Sequence, residues 1–172
     1  EKALSKLLHQ MATQTHIVPE NINYLHINKG PARFTAIRNC HALVKGYFIN
    51  HSVNVISYSI FEHFFLGLTK KVDRNILCLL DTNRRDLAIQ KISPLGKLIG
   101  KTRTLSVNRE LKDLLQGDYV LIGNGINKIK KNENFKFVSK KMIGPLHLES
   151  HYFTNKHYDK KTNKKLPKII YP

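Results

Sequence analysis

The chain has 172 residues, of which 41% are hydrophobic, enough for an ordinary packed core in one domain or two small ones. It carries 29 Lys and Arg against 12 Asp and Glu, a net charge of +17. Such a charge opposes compaction unless a polyanion offsets it, so nucleic acid is the leading candidate for a partner. The alternative is a cationic surface that is only solvated and binds no partner. The least charged stretch, residues 46–69, contains Glu62 and His63 and is too polar for a membrane span.

The two cysteines, Cys40 and Cys78, are far apart in the sequence. This spacing fits neither a disulfide framework nor a zinc site with paired ligands, and we expect a cytoplasmic or other intracellular reducing compartment. No signal peptide is visible. We predict no metal site and no cofactor.

Hydrophobic spacing predicts a first helix over residues 1–16, where Leu4, Leu7, Leu8 and Met11 lie on one face. Residues 17–30 predict an irregular strand or loop, and a second apolar segment covers residues 33–48. A third covers residues 53–68, where aromatic residues recur every three or four positions. This favours a buried helix, with two short strands as the alternative.

The middle of the chain, residues 73–129, contains a series of helix and turn signals. Val72, Ile76, Leu79 and Leu80 have helical spacing and end at the turn-forming residues 81–83, and a short helix or continuation follows over residues 87–92. Ser93 and Pro94 can start another helix, which ends at Gly100. A longer helix is expected over residues 104–115, with four apolar residues facing inward.

A β-hairpin is expected next, because residues 119–122 and 126–129 flank a Gly-Asn-Gly turn. Short helix, glycine turn, amphipathic helix and hairpin together resemble the winged helix-turn-helix superfamily. The likeness is to the DNA-binding part of bacterial regulators of the cyclic-nucleotide-receptor type and of plasmid replication initiators. It rests on residues 95–100, 102–104, 108–114 and the hairpin, about a third of the chain. Gly96 departs from it, since the family usually has alanine there.

The resemblance implies that the helix beginning near Thr104 enters the major groove of DNA and that the hairpin lies along a phosphate backbone. Arg109 would contact guanine and Asn108 adenine. The complete set of expected base contacts is Arg103, Thr104, Ser106, Asn108 and Arg109. The expected phosphate contacts are Lys101, Lys112, Asn124, Lys128 and Lys130. The alternative for this segment is a helical hairpin and a β-hairpin that only pack, as in protein-interaction members of the superfamily.

The sequence therefore predicts an α+β, mainly α protein. Its parts are an N-terminal helical region (residues 1–70) for dimerisation, sensing or a second binding module, a winged helix-turn-helix (residues 71–130) and a basic C-terminal extension (residues 131–172). We expect a sequence-specific duplex-DNA-binding protein, a transcriptional regulator in first place and a plasmid or phage replication initiator in second. An alternative of another class is a basic RNA-binding protein or nuclease. A homodimer is a further expectation, and a membrane partner is not expected.

Two constellations would instead suit an enzyme. Cys40 precedes an apolar helical run, and a cysteine at a helix start can have a lowered pKa and act as a nucleophile. A lone cysteine with scattered histidines carries no spacing information, and free cysteine is usually buried. His147, Glu149, His151 and His157 lie close together, but their spacing matches no metal motif. We therefore predict no catalytic residues.

Overall fold

The computed structural model describes residues 2–68, 71–130 and 132–142. They fall into two compact units that divide between Tyr58 and Ser59. We call residues 2–58 unit 1 and the described residues from 59 onward unit 2. No helix among the described residues is long and apolar enough to cross a membrane.

Unit 1 alternates helices with two strands. Helix α1 (Lys2–Thr15) is followed by a short 3-10 helix (Pro19–Asn21), strand β1 (Tyr24–Asn28), helix α2 (Phe34–Tyr47) and strand β2 (Asn54–Tyr58). β1 and β2 pair in parallel, with Tyr24 opposite Asn54. A parallel pair requires a crossover connection, which α2 provides. The buried side chains of unit 1 include Ile27, Ile37, Val55 and Ile56.

Unit 2 is built on a four-stranded mixed sheet. Helix α3 (Ile60–Leu66) precedes strands β3 (Ile76–Asp81), β4 (Asp86–Ile92) and β5 (Leu98–Ser106), helix α4 (Arg109–Gln116), strand β6 (Val120–Ile122), helix α5 (Ile126–Ile129) and a second 3-10 helix (Glu133–Lys141). The strand order is β5-β4-β3-β6. The first three strands are antiparallel neighbours, and β6 is parallel to β3.

Both faces of this sheet are covered by apolar side chains. On one face, Leu77 and Leu79 of β3 pack with buried residues of α4, α5 and the second 3-10 helix. On the other face, Cys78 and Leu80 pack with Phe61 and Phe64 of α3. Alternate residues of β3 therefore enter two different cores, which is why its sequence is a continuous apolar run.

The predicted winged helix-turn-helix is wrong. The segments predicted as helices at residues 72–80 and 87–92 are the antiparallel strands β3 and β4. The turn between them contains Asn83, whose backbone has a φ of 57°. A strand buried on both faces has apolar residues at every spacing, so the helical pattern in β3 carried no information about its periodicity.

The predicted helix pair over residues 93–115 is also wrong in its first half. Ser93 and Gly96 form the β4–β5 turn, in which the Ser93 side chain accepts a hydrogen bond from the Lys97 amide at 3.0 Å. Gly96 has a φ of +83°, which a residue inside a helix does not adopt. Residues 98–106 form the strand β5, and only the second half of the predicted reading helix is helical, as α4.

The predicted β-hairpin over residues 119–129 is the strand β6 followed by the short helix α5. Gly123 and Gly125 lie against the backbone of β3: a Cβ on Gly123 would stand 2.3 Å from the Leu79 carbonyl oxygen. The two glycines therefore allow the backbone after β6 to approach β3 closely, and they do not form the tip of a wing.

Predictions for the first 70 residues fare better. The first helix is confirmed as α1, and its apolar residues Leu4, Leu7 and Met11 are 40–54% exposed. The third apolar segment contains both alternatives, a strand (β2) and then a helix (α3). In the expected basic extension, Glu133–Lys141 is the second 3-10 helix, and residues 143–172 lie outside the described part of the chain.

Candidate ligand-binding groove

Helix α4 is short and is held firmly against the sheet. Asn108 is its N-cap, and the Asn108 side-chain oxygen accepts a hydrogen bond from the Leu111 amide at 3.2 Å. Leu111 and Leu115 are fully buried against the sheet. The polar face of α4 therefore points away from the core.

The carboxyl end of α4 is capped from the second 3-10 helix. The Lys141 ammonium donates to the carbonyl oxygens of Leu115, Gln116 and Gly117 at 2.6–3.1 Å. Such a cation at the last carbonyls of a helix compensates their unpaired hydrogen-bonding capacity and the helix dipole. This contact holds α4 beside the segment that begins at Asn132.

An open groove of about 460 Å³ lies between these two elements. We call it the α4 groove. It is lined by Val107, Asn108, Arg109, Lys112, Asp113, Gln116, Asn132, Asn134 and Phe135. Pockets of roughly 300–1,000 Å³ are the usual size for small-molecule ligands, and the α4 groove is large enough for one nucleotide.

The cations of the α4 groove are poorly neutralised. The Arg109 side chain is 94% exposed, and its Nε lies 4.0 Å from the Asp113 carboxylate, the limit of an ion pair, so this exposed contact is weak. Lys112 is half-buried and has no acidic partner within 4 Å among the described residues. The described residues of unit 2 contain fifteen Lys and Arg against eight Asp and Glu. Anionic ligands are therefore favoured at this groove.

Three of the ten residues predicted to contact DNA, Asn108, Arg109 and Lys112, come together in the α4 groove. The other seven do not line it. Lys128 forms an ion pair with Asp81 at 2.9 Å, and the Asn124 side chain accepts a hydrogen bond from the Asp81 amide at 3.0 Å. Lys130 is half-buried at the end of α5. Lys128 and Asn124 thus fasten the β3–β4 turn to the segment after β6.

The remaining four predicted contacts lie on β5, an edge strand of the sheet. Lys101 and Thr104 are exposed. Arg103 forms a 2.5 Å ion pair with Glu110 of α4, and the Ser106 hydroxyl donates to the Asp86 carboxylate. Charged side chains on an edge strand discourage pairing with strands of other chains, and Lys101 and Arg103 are in a position to have this effect.

The candidate nucleophile Cys40 lies in the middle of α2 and not at its start. Burial raises the pKa of the Cys40 thiol, so the reactive thiolate is disfavoured. Burial and the nearby Cys40 raise the pKa of Tyr58 to about 12. Cys78 is fully buried in β3, and burial raises its pKa as well.

The histidine cluster at residues 147–157 lies outside the described residues. Within the described ranges, no three His, Cys, Asp or Glu side chains are grouped so that they could hold a metal ion.

Several groove residues had not been singled out from the sequence, including Asp113, Gln116, Asn132 and Asn134. Asn132 had a usable signal, because asparagine before Glu133 is typical of a helix N-cap and its side chain accepts from the Asn134 amide at 3.0 Å. The meeting of this cap with α4 depends on tertiary structure and has no local signal.

Comparison with known proteins relates this fold to solved structures. YeaZ from Pseudomonas aeruginosa superposes with a TM-score of 0.56 at 13% identity, over 76% of this chain and 63% of that one. An uncharacterized protein with similarity to peptidase YEAZ from Pseudomonas aeruginosa gives 0.54 at 14% identity, over 84% of this chain and 65% of that one. This chain thus spans less than two thirds of either structure. No protein-family model and no curated protein matches it.

These comparisons establish the fold class and correct the expected function. A mixed α/β sheet of the YeaZ type replaces the α+β, mainly α winged helix. The expected transcriptional regulator or replication initiator depended on a reading helix in the major groove. The chain has β5 where that helix should begin, so both expectations are wrong.

Proposed function

We propose that this chain is a binding protein rather than an enzyme, and that unit 2 binds single-stranded nucleic acid, RNA first, through the α4 groove. The observation that carries the proposal is the pair of cations Arg109 and Lys112, which line a groove of nucleotide size. Arg109 has only a weak ion pair with Asp113, so both cations are available to a ligand. Lysine and arginine side chains in such positions bind phosphate oxygens.

A single strand suits the site better than a duplex. The α4 groove has room for one nucleotide, whereas the bases of a duplex are stacked and paired. Single strands and loops can place an unpaired base in a protein groove, and sequence-specific RNA recognition mostly uses such bases. RNA also agrees with the net charge of +17.

The absence of catalysis is part of the proposal. One structural neighbour is described as similar to a peptidase, and a peptidase of the cysteine or serine type would require an activated side-chain nucleophile. The thiol pKa of Cys40 is shifted in the opposite direction, and the Ser106 hydroxyl is bound to an aspartate without a histidine. The free cysteines Cys40 and Cys78 suit an intracellular reducing compartment, which we propose as the location.

The test is fluorescence anisotropy of the full chain with labelled single-stranded RNA over a range of salt concentrations. The double variant Arg109→Ala/Lys112→Ala should lower the slope of log K against log salt by about 1.4, because each phosphate contact on a single strand contributes about 0.7. The double variant Lys71→Ala/Lys97→Ala is the matched control. It removes the same charge from exposed positions outside the groove.

Equal changes in the two double variants would refute the α4 groove as the binding site, because they would show that only net charge matters. Tighter binding of duplex DNA than of the single strand would refute the choice of ligand. Single-stranded DNA is the third arm of the experiment. RNA should bind more tightly if its 2′-hydroxyl is contacted.

A further inference from the structure

Two asparagine amides of the α4 groove have a fixed orientation. The side-chain oxygens of Asn108 and Asn132 each accept a backbone N–H, from Leu111 at 3.2 Å and from Asn134 at 3.0 Å. A backbone N–H can bind only the oxygen end of an amide, so the NH₂ end is the free one. Within the described part of the chain, neither Nδ2 has a hydrogen-bond partner.

The α4 groove is therefore rich in donors. The two NH₂ groups join the guanidinium of Arg109 and the ammonium of Lys112, which are donors only. Asp113 supplies an ionised acceptor, and Val107 and Phe135 supply apolar contact. Arg109 and Lys112 can bind a phosphate, but Asp113, Val107 and Phe135 offer a phosphate nothing. A flat ring that carries both carbonyl oxygens and an N–H uses the donors, the acceptor and the apolar wall.

Resting on the proposed binding of single-stranded RNA, we infer that the α4 groove accommodates an unpaired uracil base and selects it over adenine. The pairing edge of uracil has two carbonyl acceptors on either side of one N–H donor. The groove matches this composition with the amide donors of Asn108 and Asn132 and the acceptor Asp113.

Adenine fits the same groups less well. In the orientation assigned to uracil, the exocyclic amino group of adenine would face an amide donor and its ring N1 acceptor would face the Asp113 carboxylate, and groups left without partners lose the energy of a hydrogen bond. The amides cannot turn over to offer their oxygens without breaking the caps of α4 and of the second 3-10 helix. Selectivity thus follows from the two caps, which fix the amides of Asn108 and Asn132 as donors toward the groove.

The test is competition for labelled RNA on the full chain by oligouridine, oligoadenosine of equal length and inorganic polyphosphate. Oligouridine should compete about two- to tenfold better than oligoadenosine for each selective hydrogen bond. Asn108→Ser and Asn132→Ser remove an NH₂ group but keep a good N-cap residue. Each should reduce the uridine preference by about two- to tenfold and leave competition by polyphosphate unchanged.

The matched control is Asn127→Ser, an exposed asparagine of α5 outside the groove, which should retain the full preference. Equal competition by the two oligonucleotides, or a preference that both serine variants retain, would overturn the uracil site. The proposed function would survive that outcome if Arg109→Ala/Lys112→Ala still lowered the salt slope more than its control. If it did not, both proposals would fall, and circular dichroism of each variant would confirm that the fold is intact.

Discussion

Gln90 is the buried polar side chain whose removal has the clearest expected cost. It is 2% exposed in β4, at the place between Ile89 and Lys91 where the pairing of β4 with β5 shifts register. Its Nε2 donates to the carbonyls of Ile99 at 2.9 Å and Lys91 at 3.0 Å. Its Oε1 accepts from the Thr102 hydroxyl at 2.8 Å. The side chain thus satisfies the backbone that the irregularity leaves unpaired.

Gln90→Leu should lower the free energy of unfolding by about 2 kcal/mol. Three hydrogen bonds at roughly 0.5–1.5 kcal/mol each give about 1.5–4.5 kcal/mol. The hydrogen bond from Gln90 to the Ile99 carbonyl is only partly buried, so water can replace part of its loss, which places the expected value at the lower end. Thr102→Val removes one bond and should cost about 1 kcal/mol.

The assay is urea unfolding followed by circular dichroism, on both single variants and on the double variant. Because Gln90 and Thr102 share a hydrogen bond, Thr102→Val should cost about 1 kcal/mol less when Gln90 is already leucine. If Thr102→Val costs the same in both backgrounds, the two side chains are not coupled and the explanation for the buried amide is refuted. A changed m-value would show that the unfolded state had been altered instead.

Three further predictions concern stability, and urea unfolding measures each of them. Gly123→Ala should cost at least about 3 kcal/mol, because Gly123 has a positive φ and an added Cβ would overlap the backbone of β3. Gly100 also has a positive φ but has open space around it, so Gly100→Ala should cost about 1 kcal/mol. Equal costs of the two variants would contradict this reasoning. Lys128→Met should cost about 1–2 kcal/mol because it leaves the half-buried Asp81 carboxylate without its cationic partner, and an unchanged midpoint would show that the pair contributes nothing. Burial, and to a smaller extent Lys45, lowers the pKa of His41, so the unfolded chain binds a proton at this residue more readily than the folded chain does. The free energy of unfolding should therefore fall as the pH drops from the unfolded pKa of about 6.5 through the lowered folded pKa. His41→Gln should flatten this dependence between about pH 7 and 5, and an unchanged pH profile would contradict the prediction.

The sequence predicted elements correctly where one face of an element is apolar and the other is polar. Helix α1 and the second half of the predicted reading helix, now α4, both have this pattern. The capping box of α3, in which Ser59 and Glu62 exchange hydrogen bonds, is a further local signal for a helix start in the sequence.

Prediction failed where tertiary structure decides the element. β3 is buried on both faces, so its apolar run fits a helix as well as a strand. β5 is the opposite case, an edge strand with few buried residues. Its first residues were predicted as the end of a helix starting at the cap-like Ser93 and Pro94, residues 101–103 as a turn, and Thr104 onward as the start of the next helix. Gly96 and Gly100, both with positive φ, were the local evidence for a turn and an irregular strand instead.

The distribution of charge explains how the fold tolerates its cations and why some remain for a ligand. Lys128 and Lys141 are used within unit 2, the first in an ion pair with Asp81 and the second at the end of α4. Arg103 is paired with Glu110. Arg109 and Lys112 have no comparable structural role, so they remain available to a ligand. RNA that binds to them in the folded state should stabilise the parent chain against unfolding more than it stabilises Arg109→Ala/Lys112→Ala.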